Sequence, residues 1–390
     1  MQIRKISDAE KGKTRKLYEE IFSEDSVSFV DYYYTEKTKD NTIYVVEEDG
    51  RICSMLQLNP YVLKVEASEL PSAYIIAVAT KEEYRGRGYM GGLLRASLNE
   101  MYAEKIPFTF LMPAAEAIYS PYDFRFIYEQ NIGKIRMESS CDETQSCPQN
   151  CVFSDAALWD AEEMARFFNA YFSGQWQVCA VRDAAYYQTM IMEQQSEKGG
   201  VRLIRQDGEI RGMYAYAAEA GLEIREPLYL PGYEAAYRCS VQELLRSLPY
   251  RGGANGTDRE ADVYACGDSE RSGQKPVIMA RIVRLEELLK AMTVPKEAEM
   301  NCSFAVIDPL IRGNSRVWRI TSEAGETKIH VCETEDSEGV LPVDALTEYL
   351  FGRKSIAETA EEEGVMVTDR LALELEKITK LTRIFLNEIV

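Results

Sequence analysis

Between Val78 and Leu98 the chain reads VATKEEYRGRGYMGGLLRASL, a β-branched apolar segment that passes through charged turn residues and an Arg-Gly run into a helical pattern. Where a strand enters a helix through glycine-rich backbone, several N–H groups lack intrahelical partners and can converge on an anion. Arg85, Gly86, Arg87, Gly88, Tyr89, Met90 and Gly91 occupy that turn. Glycine lets backbone approach phosphate closely and arginine adds charge-assisted hydrogen bonds, so the local chemistry is that of a pyrophosphate cradle. The plain alternative is a tight strand-to-helix turn on a surface. No Walker loop is present. Gly86, Gly88 and Gly91 fit the dinucleotide pattern GxGxxG formally, without a clear acidic ribose reader further on.

Other chemistries find less support. Cys141, Cys147 and Cys151 form the tightest cysteine group, but structural zinc takes four ligands from two close pairs, and the only histidine is His330. No metal is expected, and the nine cysteines read as thiols of a reducing compartment. With 64 acidic against 45 basic residues and a net charge of −19, a nucleic-acid partner is not expected, because such binding is dominated by cationic contacts to phosphate. The same excess leaves room for a cationic substrate steered by a negative surface. The N-terminus is charged throughout and no run of ~18 uncharged apolar residues occurs. A cytoplasmic protein without a membrane partner is the expectation.

The elements that must position the Arg-Gly turn follow from periodicity. AEKGKTRKLYEEIF reads as an amphipathic helix, and TIYVVEEDGRICSMLQLNPYVLKV as two strands around the turn pair Asp49-Gly50. The strand SAYIIAVAT, the helix GGLLRASLNEMYAEK and the strand PFTFLMPA come next. A polar, aperiodic stretch at 139–151 marks a first boundary. Beyond it, two helices, a meander turning at Asp207-Gly208 and a further helix echo the first unit, with Tyr237-Arg238-Cys239-Ser240 where an Arg-Gly loop would stand. Near 295 a third segment begins with strands, continues with the short helix PVDALTEYLFG, and ends in LALELEKITKLTRIFLNEIV, apolar at 371, 375, 378, 381 and 385, near helical spacing. The expected architecture is α/β with three units: 1–145, 146–292 and 293–390.

The Arg85–Met90 turn resembles the acetyl-coenzyme A loop of the GCN5-related N-acetyltransferases (GNAT superfamily), whose pattern runs Arg/Gln-x-x-Gly-x-Gly/Ala. Met90 departs from it where the family has a small residue. The three-part layout, a second unit without the loop and an apolar terminus together resemble the enhanced intracellular survival (Eis) acetyltransferases, whose loop tolerates a bulky residue there. The likeness covers the whole chain in layout and is motif-specific over 78–128. It implies tandem GNAT folds, each a mixed sheet flanked by helices, the second degenerate, followed by a sterol-carrier-protein-like α+β domain that serves as a scaffold.

It further implies acetyl-CoA as acyl donor, with Val78, Ala79 and Thr80 holding the pantetheine arm and the amides of Gly86 to Gly91 holding the pyrophosphate. Tyr119, in Tyr119-Ser120-Pro121-Tyr122-Asp123-Phe124, would be the proton donor, with Tyr122 and Tyr128 as rivals and Asp123 where the family has glycine. The base would be the C-terminal carboxylate, Val390, with the side chain of Glu388 a weaker candidate. An apolar end rewards such docking through burial of Ile389 and Val390; equally, these residues can finish the last helix against its own domain. The acceptor would be an amine of aminoglycoside, polyamine or lysine type, and the assembly a homo-oligomer, hexameric by resemblance. The reading from another class is a non-catalytic acyl-CoA-binding or lipid-binding sensor.

Overall fold

The computed structural model describes residues 2–137, 150–247, 259–268 and 270–388. The first unit contains β1 (Gln2–Lys5), α1 (Arg15–Ile21), α2 (Val27–Thr35), β2 (Thr42–Glu48), β3 (Arg51–Val65), β4 (Ser68–Thr80), α3 (Tyr89–Ala103), β5 (Phe108–Leu111), α4 (Glu116–Tyr119) and β6 (Arg125–Arg136). The second contains β7 (Cys151–Asp155), α5 (Ala161–Tyr171), β8 (Val178–Ala180), α6 (Ala184–Ser196), β9 (Gly200–Gln206), β10 (Glu209–Ala217), β11 (Leu222–Tyr229), α7 (Glu234–Ser247), β12 (Glu260–Tyr264) and β13 (Arg271–Ile282). The remainder comprises α8 (Leu285–Ala291), β14 (Met300–Ile307), β15 (Val317–Ser322), β16 (His330–Thr334), β17 (Gly339–Pro342), α9 (Val343–Leu350), α10 (Ile356–Ala360), β18 (Met366–Val367), α11 (Asp369–Leu375) and β19 (Ile384–Phe385). Cys141 and Cys147 lie outside the described residues, as do 145 and 146, where the first two units were expected to meet.

Both expected hairpins form. Asp49 and Gly50 have φ of 50° and 72°, and Asp207 and Gly208 of 54° and 84°, the left-handed pair that matches the right-handed strand twist. The repeat between units is visible in topology: β2, β3 and β4 run antiparallel, α3 crosses over and β5 lies parallel to β4, while β9, β10, β11, α7 and β12 repeat the path. Tyr237 to Ser240, expected at the mouth of the second crossover helix, lie inside α7, and the turn before it is Leu230-Pro231-Gly232-Tyr233. Seven residues earlier than that stretch, it carries no arginine.

The two units exchange their last strands. β6 does not return to β5; β13 pairs with β5, and β6 lies between β13 and β12, giving the order β1-β2-β3-β4-β5-β13-β6-β12-β11-β10-β9-β7. One continuous sheet therefore runs through both units, with helices on its faces. A smaller sheet, β16-β15-β14-β17-β18, follows. Its core residues Phe304, Leu341 and Leu350 share one apolar cluster with Phe108, Ile278 and Leu285 of the large sheet and α8. No helix among the described residues is long and apolar enough to cross a membrane.

The chain end corrects the helical reading. The helix stops at Leu375, and the backbone then extends until β19 pairs parallel with β8, which itself hangs on β3. Gln177 fastens this path: its carbonyl oxygen accepts from the N–H groups of Thr382 and Arg383 at 3.0 Å each, and its amide donates to the carbonyl of Lys380 at 3.0 Å. Phe385 stacks on Trp176 with ring centres 4.3 Å apart, and Leu386 is fully buried. Burying each of these side chains is worth roughly 1.5–3 kcal/mol, so the stretch through Leu386 does not finish a helix on its own domain; it is drawn across the first two units.

Candidate active site

Strand β4 opens the site. Ala77 has a φ of 50°, and the pairing of β3 with β4 slips between Met55 and Gln57, the mark of a β-bulge. β4 and β5 share only the register pair Tyr74↔Phe110, so the strands part beyond it and leave the edge at Val78, Ala79 and Thr80 without a neighbour from β5. Val78 packs against the cluster of Leu93, Tyr119 and Phe124, whereas Ala79 points to the opposite cluster with Tyr33 and Met55. Thr80 shares a hydroxyl hydrogen bond of 2.7 Å with Ser54.

The Arg-Gly turn follows. Gly86 and Gly88 have φ of 75° and 78°, and a Cβ on either would meet no atom within 4 Å; the backbone face is open and needs the conformations glycine supplies. Gly88 caps α3, and the first N–H of the helix turned inward belongs to Gly92, bonded to the Gly88 carbonyl at 3.0 Å, which leaves the amides of Tyr89, Met90 and Gly91 for a ligand. Arg85 and Arg87 are exposed. Arg87 sits 4.8 Å over the Tyr84 ring and 3.8 Å from Glu48, which also accepts from the Tyr89 hydroxyl. Tyr89 and Met90 thus offer backbone while their side chains pack into the core with Val78 and Tyr119. Open amides, two exposed arginines and a splayed strand edge fit an extended thioester donor with a pyrophosphate.

Tyr119 ends α4 and is 8% exposed, set edge-on to Phe124 at 5.9 Å. Its hydroxyl has no hydrogen-bond partner among the described residues, and burial pushes its pKa up to about 12. The turn after it places Asp123 at a φ of 63°, which aspartate tolerates better than most residues. Arg281 of β13, fully buried, locks this turn: Nε donates to the Tyr122 carbonyl at 2.9 Å, and Nη2 reaches Asp123 at 3.2 Å and Asp308 at 2.5 Å. The rival phenols have other surroundings. Tyr122 lies where a Cβ on Gly91 would come within 2.5 Å of its oxygen, and Tyr128 faces the charges of Glu226, Arg182 and Glu388. His330 is exposed and remote, 3.5 Å from Glu326.

A cavity of about 520 Å³ lies between β3, α6, β11 and the chain end, with seven carboxylates and two cations on its wall, among them Glu36, Asp183, Glu193, Glu226 and Glu388. Arg182, fully buried, forms a two-pronged bond with Glu226 at 2.5 and 3.0 Å, and Asn387 donates to the same carboxylate at 3.2 Å. Glu226 turns inward at a bulge in β11, with a φ of 40°, as Ala77 does in β4. Glu388 accepts from the Tyr186 hydroxyl at 2.8 Å and stands 3.7 Å from Arg182, too far for a hydrogen bond. Burial, partly offset by Arg182, raises its pKa to about 6. Tyr119 is not on this wall. Tyr74, which is buried, packs 6.4 Å from Tyr61 of the cavity wall by ring centres. Val390 lies outside the described residues.

Arg182, Arg281, Glu226 and the Tyr61–Tyr74 pair were not singled out in the sequence. The available signal is an arginine inside an apolar run, VCAVRD and VIMARI, since arginine is almost never fully buried unless paired.

Residues 2–127 match the family model of the acetyltransferase (GNAT) domain, and residues 285–389 that of the sterol carrier protein domain. No curated protein matches the sequence. Among solved structures, a conserved protein of unknown function from Enterococcus faecalis V583, described as a probable N-acyltransferase, is similar with a TM-score of 0.81 at 16% identity, covering 100% of this chain and 99% of that one. A GCN5-related N-acetyltransferase from Anabaena variabilis is similar at 0.76 and 16% identity, and Eis1 from Mycobacterium abscessus at 0.70 and 13%, each over 100% of both chains. The chain therefore carries a GNAT acetyltransferase domain at its start and a sterol carrier protein domain at its end, and it shares its overall fold with these three structures.

Proposed function

We propose that the protein transfers an acetyl group from acetyl-CoA directly to a primary amine of a cationic acceptor bound in the acidic cavity. The observation that carries this reading is the cavity wall, seven carboxylates against two cations, with Asn387 and Glu388 among its residues. Acetyl-CoA would supply a thioester as acyl donor. The amides of Gly86 to Gly91, with Arg85 and Arg87, would hold its pyrophosphate, and Val78, Ala79 and Thr80 its pantetheine arm.

Tyr119 would return a proton to the departing thiolate. A phenol held near 12 stays protonated throughout the neutral range, which suits a donor. The carboxylate of Val390 would take the proton from the ammonium. The described chain leads to the cavity wall at Asn387 and Glu388, which supports that assignment. Glu226 and Glu388 would attract the acceptor's remaining charges.

Release of CoA thiol from acetyl-CoA, measured against polyamines, aminoglycosides and lysine peptides, tests the reading, with wild type beside a chain lacking Val390. Turnover that depends on Val390 supports the full mechanism. Turnover that survives its removal retains the enzyme and rejects the terminal base. Tight CoA binding without turnover on any amine would overturn the reading in favour of a sensor.

A further inference from the structure

Asn59 of β3 lines the cavity, is 1% exposed, and neither its Oδ1 nor its Nδ2 has a hydrogen-bond partner among the described residues. Its neighbours on the same strand face behave differently. Gln57 accepts from Tyr33 at 3.1 Å and from Asn41 at 3.2 Å, and Asn41 also donates to Tyr33 at 3.3 Å. A local polar network has thus formed beside Asn59 without including it. A buried carboxamide with no protein partner at either end is costly unless something in the cavity serves it, and because both ends lack a partner, the assignment of nitrogen and oxygen does not affect the argument.

The rest of the wall is mostly acceptor. Carboxylates are satisfied by ammonium donors, and a protonated polyamine offers nothing else. Such a molecule can serve Oδ1 of Asn59 but leaves Nδ2 unpaired, and it displaces any solvent that served Nδ2 in the free cavity. An acceptor with a neutral oxygen beside its ammonium satisfies both ends of Asn59 as it binds.

Resting on the acetyl-transfer reading for the role of the cavity, we propose that Asn59 is a specificity-determining residue that selects amines bearing a hydroxyl or carbonyl oxygen over oxygen-free polyamines. Two matched pairs test it in the full-length protein: diaminopropanol against diaminopropane for a hydroxyl, and lysinamide against cadaverine for a carbonyl. Equilibrium binding by calorimetry and kcat/KM are both read.

In at least one pair the oxygen-bearing amine is expected to bind about tenfold more tightly than its partner. Asn59→Leu should abolish that preference while leaving the oxygen-free amine within about twofold of wild type, and KM rather than kcat should carry the change. Asn59→Asp, which keeps an acceptor and removes the donor, should also lose the preference, and it decides the question if the leucine variant does not fold. Equal binding within both pairs by wild type, or a preference that survives both substitutions, overturns the proposal. Amines acetylated without any oxygen preference would defeat this inference and leave acetyl transfer standing. An Asn59-dependent preference in binding without turnover would do the reverse.

Discussion

Replacing Glu388 with glutamine removes a charge that the fold buries at a cost. Its carboxyl moves from 4.5 to about 6 because desolvation outweighs Arg182, which corresponds to about 2 kcal/mol. Above pH 6 the group is ionised in both folded and unfolded chains, so the folded state bears the full cost. Below 4.5 it is protonated in both and the cost disappears. Wild type therefore loses this increment as pH rises through that window, because the folded state holds the proton more tightly. Glu388→Gln keeps the shape and an acceptor for Tyr186 and should be about 2 kcal/mol more stable at pH 8, with an advantage below about 1 kcal/mol at pH 5. For a chain of this length that is about 2–3 °C in the unfolding midpoint. Thermal melts of both proteins across pH 5 to 8 measure it. A variant less stable than wild type at pH 8, or a difference that does not change with pH, would refute the reasoning and show that Arg182 gains more from Glu388 than burial takes away.

Three further expectations follow from the site. Tyr119→Phe should lower kcat by about 100-fold while leaving CoA affinity unchanged; a shift in CoA affinity alone, seen by calorimetry, would make the phenol a packing residue. Gly88→Ala places a Cβ at a φ of 78° on the open backbone face. It should cost about 1–2 kcal/mol and weaken CoA binding, read by denaturant titration and calorimetry together. Arg281→Met leaves Asp123 and Asp308 as uncompensated charges in the interior and should destabilise by about 3–5 kcal/mol; adding Asp308→Asn should recover part of that in the same urea titration.

What was legible in the sequence is what short stretches of chain decide for themselves. Asp49-Gly50 and Asp207-Gly208 make hairpins because two consecutive residues accept positive φ. The Arg-Gly turn opens α3 because Gly86 and Gly88 can adopt the turn's backbone and stop it from closing over. The α/β class, the repeat of the first unit in the second and the Tyr119 turn were readable on the same terms.

Tertiary structure decided the rest. The apolar spacing from Leu371 to Phe385 would suit a helix, yet Gln177 and β8 supply backbone partners and Trp176 an aromatic face, and the segment extends. β6 and β13 are both good strands by composition, and nothing in either tells that each completes the other unit's sheet, because register is settled by pairing across the fold. The cavity's carboxylates could not be chosen from 64 acidic residues, since what distinguishes Glu226 and Glu388 is a buried arginine between strands far apart in the chain. Local conformation is a property of neighbouring residues, whereas burial, pairing and the field at a carboxylate depend on which distant segments the folded chain brings together.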